Sequence, residues 1–324
     1  QATREELLAY SGWLLEHGDA DRALHFAEQA LTELPGDPEA RVARAGALGV
    51  LGRADEAERE LHDILSGGHN AASTHLALAR LYLVQERLPD AIFHATEGAR
   101  LDPDDPDFAV IHGLAAMQRG EMDEARAAFE RERDLRPESA KAWLNLGRLE
   151  LDTNHPEAAA ACFRQAQALD PAGWFASYQL GLALQQAGKP REAADAYRQV
   201  LTRNERVAEA HNNLAWLLAD LEMDPVLGEV HARRAAELAP GNAHVLGTLG
   251  WAQYKNRLFD EAAVSLKEAR RLAPDDPMKH YMLGVLLADR GESAEASHAL
   301  EEALRLDPRF GRSESARRIL AQME

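Results

Sequence analysis

The chain has 324 residues, 46% of them hydrophobic and 28% charged, and its 54 acidic against 36 basic side chains give a net charge of −18. This acidic balance opposes approach to nucleic acid phosphates, so we expect no nucleic acid partner. The sequence contains no apolar run long enough to cross a bilayer, so we expect no direct membrane insertion. Cys162 is the one cysteine, which excludes an internal disulfide framework and a cysteine-based zinc site, and we expect it to be buried beside Phe163.

Three kinds of residue recur along the chain with a period of 34 residues. Small residues occupy the first recurring position, at Ser11, Ala45, Ala79, Gly113, Gly147, Gly181, Ala215, Gly250 and Gly284, with a single step of 35 before Gly250. Alanines occupy the second, at Ala23, Ala57, Ala91, Ala125, Ala159, Ala193, Ala262 and Ala296. Prolines occupy the third, at Pro35, Pro103, Pro137, Pro171, Pro240, Pro274 and Pro308. A period kept over almost the whole chain indicates one supersecondary unit copied in tandem, which buries its apolar surface against its neighbours.

The period predicts nine units within residues 1–310. In chain order the units span residues 4–37, 38–71, 72–105, 106–139, 140–173, 174–207, 208–242, 243–276 and 277–310. Each unit divides into two amphipathic stretches of ordinary helix length, joined by a short turn that often carries glycine. The proline near the end of each unit cannot continue a helix and turns the chain into the next copy. The sequence therefore predicts pairs of helices stacked in tandem.

The two ends of the array differ in sequence. Residues 311–324 place apolar side chains on one helical face and predict a C-terminal capping helix over the last unit. No comparable cap precedes the first unit, whose first helix contains Trp13, so we expect further chain before Gln1 in the full-length protein. The extra residue of the 35-residue step lies between Ala215 and Gly228, and it is either a lengthened turn inside the seventh unit or a local change of superhelical pitch.

The fifth unit carries the pattern of a known repeat most fully. Its residues follow the order W-x2-L-G, then A-x3-F and P, at Trp143, Leu146, Gly147, Ala159, Phe163 and Pro171. This pattern resembles the tetratricopeptide repeat, although Glu150 stands where that repeat has an aromatic residue. The resemblance implies an all-α, right-handed superhelical α-solenoid of tandem helix-turn-helix repeats with a C-terminal capping helix. It also implies that the first helix of each unit lines a concave groove and that Trp143 belongs to the repeat core.

The resemblance further implies which side chains face the groove. The candidate partner-binding residues are the aromatic, amide and arginine side chains Phe175, Tyr178, Asn212, Trp216, Trp251, Tyr254, Tyr281, Arg80 and Arg148. Aromatic residues make up only 6% of the chain, so their gathering on one predicted surface suggests a groove for an extended or helical peptide, or platforms for sugar rings. Packing between neighbouring repeats is the alternative role for the same rings.

The sequence carries none of the common catalytic or cofactor motifs. HExxH, GxGxxG, GxxxxGK[ST] and GxSxG are all missing, and the histidines lack metal-ligand spacing. The basic residues of the family's carboxylate clamp are also missing from the matching places. We therefore expect no catalytic residue, no metal and no cofactor, in a protein that is not an enzyme.

These features favour a non-catalytic scaffold that binds a peptide or protein segment in its groove. Residues 211–220 and 246–277 resemble a paired-repeat block of bacterial tetratricopeptide proteins of the cell envelope, some of which serve exopolysaccharide export or the PEP-CTERM sorting system. The resemblance favours the bacterial periplasm or cell envelope over the cytoplasm, within an envelope or secretion assembly. The alternatives are a carbohydrate-binding component of polysaccharide export, with a polysaccharide as partner, and the regulatory arm of a larger enzyme.

Overall fold

The computed structural model describes residues 2–323, so Gln1 and Glu324, which the sequence placed in the array and its cap, lie outside the described residues. Within that range the backbone forms nineteen α-helices and no strand. In chain order the helices are α1 (Arg4–Glu16), α2 (Ala20–Glu33), α3 (Pro38–Val50), α4 (Ala54–Ser66), α5 (Ala72–Val84), α6 (Leu88–Leu101), α7 (Pro106–Arg119), α8 (Met122–Leu135), α9 (Ala140–Asp152), α10 (Pro156–Leu169), α11 (Phe175–Gln186), α12 (Pro190–Arg203), α13 (Ala208–Asp220), α14 (Pro225–Leu238), α15 (Ala243–Lys255), α16 (Phe259–Leu272), α17 (Pro277–Asp289), α18 (Ser293–Leu306) and α19 (Ser313–Met323). This is the all-α solenoid of tandem helix pairs that the sequence predicted, and we retain the nine-unit division as a proposal for how the pairs group.

The helices fall into two compact units. The first unit ends at His155 and contains α1–α9, and the second begins at Pro156 and contains α10–α19. Within each unit a helix packs on the helices before and after it, and the first helices of successive pairs also meet, as α5 does with α7 and α13 with α15. Helix α19 packs on α17 and α18, in the region where the sequence predicted a cap. None of the helices within residues 2–323 combines the length and the apolar character that a membrane span requires.

The turn before α14 holds the extra residue of the period. Four residues, 221–224, separate α13 from α14, whereas three residues, 256–258, separate α15 from α16. Pro225 begins α14, and Asp224 Oδ1 accepts a hydrogen bond of 2.9 Å from the backbone N–H of Leu227. An acidic cap followed by proline in the first turn is a strong helix start, because it satisfies one free N–H and removes another. The insertion is therefore absorbed in a turn, as the first of the two sequence interpretations holds.

The recurring small residues let the two helices of a pair approach closely. A Cβ atom added to Gly113 would lie 2.5 Å from Cε1 of Phe129, and one added to Gly181 would lie 2.5 Å from Cε1 of Tyr197. Both aromatic rings are fully buried. The period thus has a packing reason, since each glycine leaves the space that a large ring on the second helix fills.

The structure refines two expectations about the fifth unit. Cys162 on α10 is half-buried rather than buried, because its neighbour Phe163 takes the interior position. Glu150 on α9 is buried, and Arg126 on α8 forms an ion pair with it. This ion pair occupies the place where the repeat pattern has an aromatic residue, and it accounts for the departure from that pattern.

Candidate partner-binding face

Three first helices of the second unit lie side by side. Helix α15 packs against both α13 and α17, and we call the surface that these three helices form the first-helix face. Four of its predicted site residues make ring contacts with one another. The ring of Trp251 lies 6.3 Å from that of Trp216, 5.1 Å from that of Tyr254 and 6.2 Å from that of Tyr281, measured between centroids. The structure therefore gathers these four side chains into one aromatic cluster.

Burial divides the aromatic cluster into two kinds of residue. Trp251 and Tyr281 are each only 4% exposed, whereas Trp216 and Tyr254 are partly exposed. Tyr281 is covered on one side by Phe310, whose ring centroid lies 5.8 Å away. Of the two roles that the sequence left open, packing between helices applies to Trp251 and Tyr281, which α13, α15 and α17 enclose. Contact of Trp216 and Tyr254 with a partner stays a prediction.

Hydrogen bonds fix the polar edges of the cluster. The indole N–H of Trp251 donates to Asp220 Oδ1 over 3.1 Å, and Asp220 Oδ2 accepts a hydrogen bond of 2.5 Å from Arg312. The hydroxyl of Tyr254 donates to Asp289 Oδ2 over 2.6 Å. Burial and this hydrogen bond raise the pKa of Tyr254 above its ordinary value, so its hydroxyl keeps its proton at neutral pH. These hydrogen bonds therefore help to fix the orientation of the Trp251 and Tyr254 rings.

A pocket of about 340 Å³ lies next to Trp216. Its lining combines amide, charged and apolar side chains, namely Gln185, Asn212, Asn213, Trp216, His244, Thr248, Asp276, Met278, Lys279 and Met282. Asn212 is 3% exposed, and its Oδ1 atom has no hydrogen-bond partner among the described residues. A buried acceptor without a donor is rare in folded proteins, so this atom marks the pocket as unusual.

Lys279 is a buried cation that the sequence analysis missed. It is 3% exposed, and its Nζ lies 2.9 Å from Asp276 Oδ2. Its side chain passes over Gly247, where an added Cβ would lie 3.0 Å from both Cδ and Cε of the lysine. The signal in the sequence was a glycine on the first helix of the eighth unit, but only the neighbouring helix shows what that glycine makes room for.

Two more predicted site residues lie on α11. Phe175 is 48% exposed, and its ring centroid lies 5.8 Å from that of Trp174. Tyr178 is partly buried, with its ring 6.0 Å from that of Tyr197. Burial raises the pKa of Tyr178, so it also stays protonated. Phe175 thus offers an open apolar surface, and the ring of Trp174, which also lies 6.4 Å from that of Tyr178, connects the two residues.

The two predicted arginines belong to the first unit. Arg80 on α5 is exposed and forms an ion pair with Asp107 on α7, which also pairs with Arg136 over 2.9 Å. Arg148 on α9 is exposed. Within residues 2–323 no group of three or more histidine, cysteine or acidic side chains is arranged to hold a metal ion. These arginines are part of a charged surface and are not in the aromatic cluster.

The chain is built of tandem helix pairs, and aromatic side chains lie on the first helices of several pairs. This architecture defines a repeat protein of the α-solenoid class. Family models described as tetratricopeptide repeat match residues 14–74, 76–138, 112–173, 178–222 and 280–310. These matches cover well over half of the chain. The chain belongs to the tetratricopeptide repeat family.

Curated relatives match parts of the chain. The peroxisomal targeting signal receptor of Candida albicans is 28% identical over 62% of this chain and 35% of its own length. The type IV pilus assembly protein PilF of Pseudomonas aeruginosa is 31% identical over 40% of this chain and 52% of its own. The human protein O-mannosyl-transferase TMTC1 is 26% identical over 52% of this chain and 20% of its own. The chain thus spans between a fifth and about half of the length of these relatives.

Solved structures share the fold. A chain of the APC/C hetero-tetramer Cut9-Hcn1 matches with a TM-score of 0.58 and 15% identity over 99% of this chain and 67% of its own. PilF of Pseudomonas aeruginosa matches with a TM-score of 0.54 and 17% identity over 66% of this chain and 96% of its own. At these identities the likeness concerns the fold. The narrower resemblance of residues 211–220 and 246–277 to envelope proteins stays a prediction.

Proposed function

We propose that this protein is a non-catalytic interaction scaffold that binds a segment of another polypeptide on the first-helix face. The observation that carries the proposal is that two partly exposed rings, Trp216 and Tyr254, lie on the same face as a polar pocket. Trp216 lines that pocket, and so does the buried Asn212, whose Oδ1 has no donor among the described residues. Trp and Tyr are enriched among the residues that contribute most of the binding energy at protein interfaces, because each combines a large apolar ring with one polar atom. The enclosed Trp251 serves as the support that holds both exposed rings in place.

The relatives support a polypeptide as the partner. The Candida albicans relative is named as a receptor for a targeting signal, and the Pseudomonas aeruginosa relative is named as a pilus assembly protein. Both names describe proteins that act on other proteins. The second also favours the envelope or secretion assembly that the sequence suggested, and we include that setting in the proposal.

The human relative favours a second candidate. Its name is that of a glycosyl-transferring enzyme, and this chain corresponds to a fifth of its length. A tetratricopeptide array that serves as the regulatory arm of a larger enzyme would fit that match. A catalytic domain in the same polypeptide would favour the function of a regulatory arm over that of an independent scaffold.

Carbohydrate binding would use the same two rings. With Trp251 and Tyr281 enclosed, the platform for a sugar is limited to Trp216 and Tyr254. Stacking on a sugar would change the fluorescence of Trp216 on addition of a polysaccharide. A saturable change that a Trp216→Ala variant lacks would favour this alternative over a polypeptide.

Site-specific photo-crosslinking tests the main proposal. A benzophenone amino acid is placed at Trp216 or Tyr254, and in a control at Val264, which is 71% exposed on the second helix α16. In cells of the source organism we expect both face positions to cross-link to the same segment of one protein, mapped by mass spectrometry, while the Val264 control does not. Equal cross-linking from Val264 would refute a binding site on the first-helix face.

A further inference from the structure

The pocket next to Trp216 combines three apolar side chains with a majority of polar and charged ones. Trp216, Met278 and Met282 contribute the apolar lining, and Asn212 and Lys279 contribute polar groups. A volume of about 340 Å³ is at the lower end of the range of small-ligand pockets and more than accommodates one amino-acid side chain. The pocket therefore suits one side chain that combines an apolar stem with a polar head.

A chain of hydrogen bonds distinguishes the oxygen from the nitrogen of the Asn212 amide. The hydroxyl of Tyr197 donates to Gln185 Oε1 over 3.1 Å, and Asn213 Nδ2 donates to that hydroxyl over 3.4 Å. Asn212 Nδ2 then donates to Asn213 Oδ1 over 3.3 Å. Because every member donates in the same direction, Asn212 Oδ1 is left at the end of the chain as an acceptor.

The unused acceptor belongs to a residue that lines the pocket. Asn212 Oδ1 is out of contact with solvent and has no donor among the described residues. The terminal torsion of an asparagine side chain has broad energy wells, so a modest rotation can turn this oxygen toward a ligand. A ligand that supplies an N–H there would remove the cost of a buried, unsatisfied group.

The charges of the pocket cancel. The Lys279 ammonium pairs with the Asp276 carboxylate over 2.9 Å. Burial is the largest single influence on Asp276 and would raise its pKa, but the hydrogen bond and charge of Lys279 and the backbone N–H groups of Met278 and Lys279 together outweigh it, so the pKa lies below its ordinary value. Loss of surrounding water and the nearby Lys279 lower the pKa of His244, so its imidazole is neutral at neutral pH. The pocket thus favours an uncharged polar group over a free anion or cation.

We propose that this pocket binds the carboxamide of a glutamine side chain carried by the bound polypeptide, an inference that rests on the proposed function. The amide N–H donates to Asn212 Oδ1, and the amide oxygen accepts from Lys279 Nζ, which has hydrogens left after its pair with Asp276. The two methylene groups pack on Trp216 and Met278. A glutamate side chain offers no donor for Asn212 at neutral pH, and an aliphatic side chain satisfies neither group.

Methionine methyl signals test this proposal on the whole protein. The chain has six methionines, of which Met278 and Met282 line the pocket, while Met117 and Met122 lie in the first unit and serve as internal controls. Protein labelled with ¹³C at the methionine methyls is titrated with N-acetyl-glutamine N-methylamide. Parallel titrations use the glutamate, norleucine and alanine analogues of the same probe. The alanine probe reports what the backbone amides bind without the side chain.

We expect the glutamine probe to shift the Met278 and Met282 methyl signals while Met117 and Met122 stay unchanged. Its apparent affinity should exceed those of the three other probes by about tenfold, the effect of one well-formed hydrogen bond with a buried group. In Asn212→Leu the preference for glutamine over norleucine should disappear. The matched variant Asn145→Leu, which removes an amide that donates to Glu132 over 2.8 Å in the first unit, should retain it.

Several outcomes would overturn the glutamine assignment. Equal or tighter binding of the glutamate probe, or equal shifts with the alanine probe, would assign the pocket to another group while leaving the proposed scaffold function in place. A lack of shifts at Met278 and Met282 with every probe would remove the pocket as a binding site. If Asn212→Leu does not fold, the comparison of the four probes on the unchanged protein still decides the question. The scaffold function itself is tested separately by the cross-links from Trp216 and Tyr254.

Discussion

The first helices α5 and α7 of one unit and α13, α15 and α17 of the other present different chemistry on the same frame. On α5 and α7 the surface is charged, and the exposed Arg80 forms an ion pair with Asp107. The first-helix face instead carries the aromatic cluster and the enclosed Lys279. Beneath both surfaces a glycine faces a large side chain, Gly113 under Phe129 in the first unit and Gly250 under Leu266 in the second. The packing of glycines against large side chains, which we call the frame, repeats in both units, whereas the surface side chains differ. Binding specificity therefore depends on positions that the 34-residue period does not constrain.

Two histidine pairs, by contrast, are alike in the two regions and belong to the frame; His75, His94 and His211 are buried, and His231 is half-buried. Nδ1 of His75 lies 2.9 Å from Nδ1 of His94, and the same atoms of His211 and His231 are also 2.9 Å apart. Both pairs join a first helix to the second helix of the same pair. In each pair, Nε2 of the first histidine lies within hydrogen-bond distance of an oxygen, so Nε2 carries the proton of that ring. The Nδ1–H of the second histidine therefore donates to Nδ1 of the first.

The largest effect should come from removing the support of the aromatic cluster. We expect Trp251→Ala to lower the free energy of unfolding by about 3–5 kcal/mol, because a buried indole leaves a cavity and Asp220 loses a donor. The matched variant Trp13→Ala in the first unit removes an indole that is 50% exposed and should cost far less. Urea denaturation followed by circular dichroism measures both. Equal losses would mean that Trp251 is not the support we describe.

Acid should weaken both histidine pairs alike. Burial lowers the pKa of His94 and of His231 to about 4, from 6.5 for an ordinary histidine. The unfolded chain therefore takes up protons first as the pH falls, and stability that is complete above pH 6.5 is lost between about pH 6.5 and 4. We expect a loss of about 2 kcal/mol for each pair across this range, measured by denaturation at several pH values.

The variants His94→Gln and His231→Gln separate the two pairs. Each variant should remove the pH dependence of its own pair and leave that of the other, because the two pairs have no residue in common. The two contributions should be similar, because the pairs have the same geometry. The difference between variant and parent at each pH cancels the titration of the surface carboxylates. If one variant abolished the whole dependence, the two regions would differ in their frame as well as in their surface.

Filling the space beneath a ring tests whether the frame is equally tight in both regions. We expect Gly113→Ala and Gly250→Ala each to cost roughly 1 kcal/mol, because the new methyl group would lie 2.5 Å from Phe129 and 2.6 Å from Leu266. Gly12→Ala is the control, since nothing lies within 4 Å of its added Cβ, and it should be neutral or stabilising. Chemical denaturation of the three variants decides whether the two regions respond alike.

The smallest effect should follow loss of the charged surface pair. Arg80→Ala should change the free energy of unfolding by less than about 0.5 kcal/mol, because the arginine is exposed and solvent screens its pair with Asp107. It should also leave intact the cross-links made from Trp216 and Tyr254. A strong loss of those cross-links in Arg80→Ala would mean that the charged surface and the first-helix face bind the same partner. That result would contradict the distinction drawn here between the two surfaces.

The sequence predicted the fold closely and the site only in outline. The period located the helix pairs, the turn before Pro225 and the close packing at Gly113 and Gly181, because each depends on residue types that recur at fixed steps. It also named Trp216 and Asn212 as candidates. It could not separate exposed rings from enclosed ones, since Trp251 and Trp216 occupy matching places in their units and differ only in what neighbouring helices place above them.

The sequence alone determined the architecture, because a short repeat makes most of its contacts within itself and with the next copy, and those contacts leave a pattern of small residues, alanines and prolines. The tertiary structure decided the chemistry of the first-helix face. Lys279 lies over Gly247, and Asn212 keeps an unused acceptor, because side chains from three successive helices converge there. Such a convergence depends on single residues that no period repeats, so it can be recognised only once the helices are packed.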